Sequence, residues 1–443
     1  MRIRQPRRAV EPVHAVRCCP AWLGMAGLLP VLGMFPPFAA AVDYSYELGV
    51  GMEYTDNVDR APPGNARHDW IVLGGLSGWL DTQTSELRAN LEGDLTYPHY
   101  LRDTTNGSLR GHIALASAWE PLPERLVLRL QNRYQDVVID EREPLSPRNR
   151  EQANATLVGP DLIVRLSPVD RVVIGARYGY TYFEESADNN RGVAALTWEH
   201  RLSPRTELTL DTSYQDVRFE GSDTVDFDRV DGRLGITHQL RGSELRLSSG
   251  HYSIDRQDRS NVDGLEWELG WDMKLGSVMR LDLSAAHDTL DAGSRLLTSG
   301  GQALTLGGIN TAFSDDLLTA TRYAAVLRRE TVPWRYALAG TYVDEDFEDT
   351  DQDRILRTLR AAVSFRLTRD LNANASAQYA EFRYGADGRV DDDTYASVGL
   401  RRAFGRHVFA ELEYGYADRR STNDAAEFNE NVVRLFVGYA RLP

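Results

Sequence analysis

Charged side chains recur at alternate positions along several stretches of this sequence, and their types are those that guide polar solutes. They are Arg129, Arg177, Arg246, Arg280, Arg366, Glu266, Glu268, Glu411 and Glu413, and Arg360, Glu207 and Asp211 share the pattern. A row of guanidinium groups would steer an anionic or sugar solute, because each is a fixed charge with several hydrogen-bond donors. The alternative is that these side chains pair across neighbouring strands and only solvate and stiffen a wall. Both interpretations require the charged side chains to share one face of a wall of neighbouring strands.

The most acidic run extends from Asp344 to Asp353 and contains carboxylates at the alternate positions 349, 351 and 353. A calcium loop of the EF-hand type begins with this spacing but then needs glycine, and Arg354 stands there. No glutamate follows at the distance that would close such a loop. The run therefore favours a solvated loop that faces anionic lipid head groups through shared divalent ions, and a specific calcium site is the alternative.

The residue types needed for catalysis are present but not in catalytic patterns. The histidines are scattered, and the sequence contains neither G-x-S-x-G nor H-E-x-x-H. The two cysteines, Cys18 and Cys19, precede an apolar run and would leave with it, so the mature chain has no thiol nucleophile and no disulfide. We therefore predict a protein that is not an enzyme and has no cofactor and no metal.

The elements that position the charged residues are predicted by a period of two. From 265 to 273 the odd positions are apolar and the even ones carry Glu266, Glu268 and Asp272. In a transmembrane strand one face meets lipid and the other meets a water-filled lumen, which halves the apparent hydrophobicity. Soluble sandwiches also alternate, but their strands run about 5–6 residues. The segments here are about twice as long, which favours a membrane barrel.

Short turns divide the chain at intervals of roughly 36 residues, as a ladder of long hairpins requires. They lie at 166–169, 202–205, 241–243, 275–277, 367–370 and 404–406. This spacing predicts an all-β, antiparallel up-and-down barrel of about 20 strands, within a range of 18 to 22, from near 44–56 to near 429–441. An even count returns both termini to the periplasmic side.

One interval, from the turn at 275–277 to the next turn at Thr331-Val332-Pro333, is longer than the others, and we assign its excess, 291–318, to an outer loop that folds inward and narrows the pore. If 303–313 is a membrane strand instead, a second strand must pair with it. The sequence leaves open whether this loop plugs the lumen.

Tyrosines precede acidic loops halfway between the short turns, as in the aromatic girdle of a membrane barrel. The predicted girdle consists of Tyr54, Tyr134, Tyr182, Tyr214, Tyr252 and Tyr342. Tyr180 and Tyr182 share the phase of apolar Val172 and Ile174, so both should face lipid.

The first 41 residues read as a secretory signal peptide, with an arginine-rich start, an apolar run and an A-x-A site at Ala39 and Ala41. A membrane anchor is the alternative, but Pro30, Pro36 and Pro37 interrupt the run. Residues 42–443 would then form the barrel, integral to a bacterial outer membrane. The formal charge of −15 becomes more negative after cleavage, which argues against nucleic acid as a partner.

The segment Tyr46–Val58, together with the Leu-Ser-Pro turns, resembles a family of outer-membrane β-barrel porins often associated with exopolysaccharide biosynthesis and PEP-CTERM/exosortase gene clusters. The resemblance implies passage or export of polar solutes such as saccharides. It also implies outer-membrane lipid and lipopolysaccharide, the barrel assembly machinery and polysaccharide export components as partners. A non-conducting barrel that anchors a surface-polysaccharide or protein assembly is the alternative. The chain departs from the usual terminal aromatic residue, since Ala-Arg-Leu-Pro443 follows Tyr439.

Overall fold

The computed structural model describes residues 42–221, 225–257, 259–298 and 316–441. These residues form twenty antiparallel strands, each hydrogen-bonded to its neighbours in the sequence. The first strand pairs with the last, from Tyr46 opposite Arg441 to Thr55 opposite Val432. The sheet is therefore closed, and the prediction of an all-β up-and-down barrel of about 20 strands is confirmed.

The strand bounds fall within a few residues of those expected from the alternation. They are β1 Val42–Thr55, β2 Asp69–Gln83, β3 Leu87–Tyr100, β4 Arg110–Leu122, β5 Leu126–Val137, β6 Glu151–Arg165, β7 Asp170–Phe183, β8 Asn189–Ser203, β9 Thr206–Phe219, β10 Phe227–Leu240, β11 Ser243–Arg256, β12 Val262–Leu275, β13 Met279–Leu290, β14 Leu318–Glu330, β15 Trp334–Phe347, β16 Arg354–Arg366, β17 Leu371–Tyr384, β18 Val390–Phe404, β19 Val408–Ser421 and β20 Phe428–Arg441. One short helix, α1, covers Ala292–Thr298, and a 3-10 turn covers Asp424–Ala426. No helix in the described ranges is long and apolar enough to cross a membrane.

The two faces of the wall are sorted by polarity in the direction opposite to that of a soluble protein. In β12, Leu265 is 65% exposed whereas Glu266 is 4% exposed. The same exterior belt includes Val50, Leu359, Val398 and Leu435, each at least half exposed. An exterior of large apolar side chains around a charged interior is stable where the surrounding solvent is lipid. The alternation therefore builds a barrel wall suited to a bilayer.

The two ends of the barrel have different connections. At one end, the short-turn end, the strands are joined by two to four residues, and at the other, the long-loop end, by five to 27 residues. All six turns singled out in the sequence lie at the short-turn end. Gly242 and Gly276 adopt φ of 81° and 77° there, a left-handed conformation that glycine adopts without a steric penalty. The asymmetry between short turns and long loops is confirmed.

Outward-facing tyrosines near the long-loop end donate hydrogen bonds to carboxylates on a neighbouring strand or loop. Tyr180 donates to Asp188 at 2.7 Å and Tyr379 donates to Asp392 at 2.6 Å. An amphipathic ring with a bonded hydroxyl fits the boundary between lipid and water. The prediction that Tyr180 faces outward is confirmed.

The prediction that Tyr252 belongs to the aromatic girdle is wrong. It is 3% exposed and packs inside the barrel against Val217, Phe227 and Ile254. Tyr252 shares the inward-facing phase of Arg246 and Arg256 in β11, so the period-two pattern places its side chain on the inner face of the wall, away from lipid.

The seam between β1 and β20 depends on glycine. A Cβ atom on Gly49 would lie 2.5 Å from the Val437 carbonyl oxygen and 2.6 Å from the ring of Phe436. A Cβ atom on Gly51 would lie 2.6 Å from the same ring. Phe436 therefore lies flat over a stretch of bare backbone, which is where the first and last strands meet. These glycines belong to the opening motif that carries the family resemblance.

Candidate functional site

The loop between β5 and β6, residues 138–150, is here called the strap. It leaves one wall and makes contacts with β16, β17 and the loop before β18, about half-way round the ring of strands. The Glu141 carboxylate forms an ion pair with Arg354, and the Tyr384 hydroxyl donates to the Glu141 carbonyl at 3.0 Å. Because these partners lie on the opposite wall, the strap crosses the lumen at the long-loop end.

A second residue of the strap extends the same contact. The Arg142 guanidinium pairs with Asp387 and lies 5.2 Å from the centre of the Tyr384 ring. Arg389 donates to the Arg142 carbonyl at 2.6 Å and also pairs with Asp391 at 2.7 Å. Charge, backbone and aromatic contacts together hold this end of the strap.

The strap is also ordered within itself by Asn149. The Asn149 side-chain oxygen accepts from the backbone N–H of Asp140 at 2.8 Å. The Asn149 amide nitrogen donates to the carbonyls of Asp140, Glu143 and Pro144. Val138 and Leu145 of the strap are buried and pack on each other. A loop that is already ordered by its own hydrogen bonds loses less further entropy when it docks.

Helix α1 is the second segment that enters the lumen. Ala292 and Leu296 are buried against Val137, Ala153 and Phe183 of the wall that also bears the strap. This is the described beginning of the long loop that the sequence predicted to fold inward. Residues 299–315, including the candidate strand 303–313, lie outside the described residues.

Both sides of α1 are fixed by buried ion pairs. At its start, Asp291 pairs with Arg191 of β8, which also donates to the Ser294 hydroxyl at 2.6 Å. Burial alone would raise the pKa of Asp291, but the Arg191 guanidinium and the hydrogen bonds from Ser294 outweigh it and hold that pKa below its ordinary value. On the other side Arg295 pairs with Glu345 of β15 at 3.2 Å.

Two further outer loops are held by arginine. Arg60, in the loop after β1, pairs with Glu430 at 2.8 Å and lies over the rings of Tyr395 and Phe428. In the acidic run, Asp349 accepts two hydrogen bonds of 3.0 Å from Arg256. This carboxylate of the candidate calcium loop is therefore engaged by a guanidinium. Among the described residues, no group of three or more His, Cys, Asp or Glu side chains is placed to hold a metal ion.

Nearby, Asp316 accepts from the Asp349 backbone N–H at 2.9 Å and from the Thr350 hydroxyl at 3.1 Å. Burial raises the pKa of Asp316, and the neighbouring Asp349 carboxylate adds to the effect.

The nine charged positions named from the sequence lie in the phase opposite to the apolar belt, and the structure brings several together. Arg129 and Arg177, on β5 and β7, both pair with Asp161 of β6. Asp161 is 1% exposed, whereas the side chains of Arg129 and Arg177 are 45% and 27% exposed, so the two guanidinium groups cover a buried carboxylate. Arg246 similarly pairs with Glu244 and with Asp272, the latter at 2.6 Å.

The four glutamates of the set lie beside arginines. Glu266 lies 3.4 Å from both Arg229 and Arg233, and Glu268 lies 3.9 Å from Arg233. Glu411 lies 3.6 Å from Arg401, and Glu413 is opposite Arg434 in the register of β19 and β20.

Two arginines of the set remain without an ion pair to any described residue. Arg280 stands opposite Lys274 on β12 and Arg328 on β14. Arg366 is exposed at the short-turn end of β16. Both lie close to the short-turn end of the barrel, on β13 and β16.

The lumen differs in openness along its length. On β2, inward-facing Asp69 at the long-loop end is fully buried, whereas Asp81 near the short-turn end is exposed and Trp79 is 40% exposed. The inner wall is thus covered by loops at one end and open at the other.

Sequence reasoning missed the strap. It has the same number of residues as the loop after β1, so its length does not distinguish it. A usable signal was present, because Leu145-Ser-Pro147 repeats the turn motif at the wrong end of the barrel, between Arg142 and Arg148.

Comparisons with known proteins are consistent with the fold. The family model described as "Putative beta-barrel porin 2" matches residues 336–441, which span β15 to β20. No curated protein matches the chain.

Among solved structures, the chain is similar to the siderophore receptor PirA from Pseudomonas aeruginosa, with 10% identity, a TM-score of 0.43 and coverage of 90% of this chain and 80% of that one. It is also similar to the outer-membrane protein opdK from Pseudomonas aeruginosa, with 10% identity, a TM-score of 0.34 and coverage of 90% and 99%. A third is the FrpB iron transporter from Neisseria meningitidis, with 9% identity, a TM-score of 0.42 and coverage of 89% and 82%. Likeness at this level carries no conclusion about an activity or a substrate of this chain.

Proposed function

We propose that this chain is a porin-like barrel of the bacterial outer membrane that passes polar solutes. The observation that carries the proposal is the sorting of the wall, with Leu359 and its belt facing out and charged residues such as Arg280 and Arg366 facing in. Apolar solutes would gain nothing from such a lumen, whereas hydrated ones keep hydrogen-bonding partners throughout. No catalytic role is part of this proposal.

The proposed path narrows at the strap and α1. Both segments occupy the long-loop end, and each is tied to more than one strand of the wall. A solute of this barrel must therefore pass through the space that they leave or displace them. The paired charges around Asp161 stiffen the wall. Arg280 and Arg366, which form no ion pair with any described residue, are the residues that we expect to bias selectivity.

The orientation of the barrel and its place in the cell are part of the same proposal. Twenty strands return both termini to the same end, and we place the short-turn end in the periplasm, as is general for bacterial barrels. Residues 1–41 would act as the signal peptide that directs export. The resemblance of the opening motif points to saccharides among the solutes, with lipopolysaccharide around the barrel and polysaccharide export components as partners.

Reconstitution in planar lipid bilayers tests the proposal. Folded protein, recognised by its faster electrophoretic migration before boiling, should give stepwise conductance increments. Folded protein that gives no increments at any applied voltage would contradict the pore and leave the structural alternative.

That alternative, a non-conducting barrel that anchors a surface-polysaccharide or protein assembly, is favoured by one observation. The strap connects opposite walls through several contacts, as expected of a permanent plug. Absence of conductance from folded protein in bilayers, together with retention of a polysaccharide or protein by the folded barrel on a column, would support this alternative.

A further inference from the structure

The strap and α1 enter the lumen separately, yet they meet the same pair of wall residues. Arg354 at the start of β16 pairs with Glu141 of the strap and, through its Nε and Nη2 atoms, with Glu345 at 2.5 Å. Glu345 in turn accepts from Arg295 of α1 at 3.2 Å. The side chains therefore form one chain of alternating charge in the order Glu141, Arg354, Glu345, Arg295, which is here called the latch.

The latch is almost entirely buried. The side chain of Arg354 is fully buried, and those of Glu345, Glu141 and Arg295 are between 4% and 10% exposed. A buried ion that loses its partner keeps its desolvation penalty, because neither water nor salt can compensate it. Neutralising one end of the latch must therefore alter the surroundings of the other end.

From this arrangement we propose that the strap and α1 are a single gate, coupled through Arg354 and Glu345, and that they leave the lumen together. The inference rests on the proposed function, because a gate has a role only if solutes pass through the barrel. The coupling itself is a property of the folded barrel that can be measured without any conductance.

The direction of the coupling follows from charge. With Glu141 undocked or neutral, Arg354 has Glu345 as its remaining carboxylate among the contacts that the structure describes. Glu345 is also the carboxylate that Arg295 uses, so the two guanidinium groups then compete for it. The position of α1 becomes less favourable although Glu141 does not touch α1. Linkage makes the coupling reciprocal, so that undocking of α1 must loosen the strap by the same factor by which undocking of the strap loosens α1.

The rest of the docking contact gives a matched comparison. Arg142 holds the strap through Asp387, Tyr384 and Arg389, none of which belongs to the latch. Glu143 is an exposed carboxylate on the same strap. Arg142→Gln therefore weakens the strap without removing a charge from the latch, and Glu143→Gln changes the strap's charge alone.

The test is the rate of thiol labelling at single cysteines in the full chain, with Cys18 and Cys19 replaced by serine. One reporter is Leu297→Cys on α1, and the other is Ser146→Cys on the strap. Glu141→Gln should speed labelling at position 297 about fivefold or more, within the range usual for coupled sites. Arg295→Gln should speed labelling at position 146 by a similar factor.

The controls decide between a coupled gate and general loosening. Glu143→Gln should change neither rate, and Arg142→Gln, which favours undocking of the whole strap, should speed labelling at 146 and, through the latch, also at 297. Equal effects of Glu141→Gln and Glu143→Gln at position 297 would overturn the latch, as would an unchanged rate at 297. If Glu141→Gln fails to give folded barrel, the reciprocal arm with Arg295→Gln carries the same decision.

Conductance separates the latch from the proposed function. A pore with a coupled gate should spend more time in its larger conductance state in both Glu141→Gln and Arg295→Gln. Coupled labelling without conductance in any variant would leave the latch intact and refute the pore. Conductance with uncoupled labelling would support the pore and refute the latch.

Discussion

Leu359 and Arg360 are consecutive residues near the middle of β16, and they have opposite surroundings. Leu359 is 56% exposed on the outer face, whereas Arg360 is 7% exposed on the inner face and donates to the Gln378 side chain of β17 at 2.7 Å. One step along the strand thus exchanges lipid for lumen.

Leu359→Arg should therefore be costly. A cationic side chain on the lipid face near the bilayer midplane destabilises a barrel by about 2–4 kcal/mol. Reversible urea unfolding in lipid vesicles measures the loss. The inward-facing Ser364→Arg on the same strand should cost less than about 1 kcal/mol, because that face is hydrated. Equal losses for the two variants would contradict the assignment of faces.

Arg280 and Arg366 should influence which ions pass. Replacing both by glutamate reverses the sign of two charges on the wall, so the ratio of cation to anion permeability should rise. Reversal potentials across bilayers with a salt gradient report this ratio. Arg420→Glu, at a residue whose side chain is 84% exposed near the long-loop end, is the control. Unchanged selectivity in the double variant would show that these arginines only solvate the wall.

Closure of the barrel should depend on Gly49. Gly49→Ala places a Cβ atom against the Val437 carbonyl and the Phe436 ring, and such overpacking costs roughly 1–3 kcal/mol. The yield of the heat-modifiable folded form should fall. Gly74→Ala, where a Cβ atom would meet no other atom within 4 Å, should leave the yield unchanged. Comparable yields for both variants would show that the seam relaxes to accept the methyl group.

Acid should release the strap from Asp387 only at low pH. The backbone N–H of Arg389 and the charge of Arg142 hold the pKa of Asp387 below its ordinary 3.8. A carboxylate with a lowered pKa contributes docking energy at neutral pH, and the contribution is lost as pH falls through that lowered value. The anisotropy of a dye at Ser146→Cys, titrated from pH about 7 to about 2, should therefore drop below pH 3.8.

The variant Asp387→Asn isolates this carboxylate from Glu141 and Asp391, which face other arginines in the same contact. Its anisotropy should start lower at neutral pH and show a smaller change on acidification. An identical titration in the two proteins would assign the transition to another carboxylate.

Local pattern was sufficient for the wall of this protein. The alternation around Glu266 and Glu268 predicts which side chains share a face, and the six short turns predict the number of strands and the end at which they are joined. Both depend on interactions between residues that are close in the sequence, so the sequence carries them directly. The girdle prediction for Tyr252 is wrong because its phase with Arg246, and not its place before a loop, decides which face of the wall it occupies.

The contents of the lumen were decided by tertiary structure. Nothing in residues 138–150 indicates that Glu141 will meet Arg354, because the two become neighbours only when closure brings β5 and β16 to opposite sides of one ring. The same holds for Arg295 and Glu345. Residues close together in the chain thus specify the strands and their two faces, whereas the curvature and closure of the finished barrel decide which buried charges pair across it.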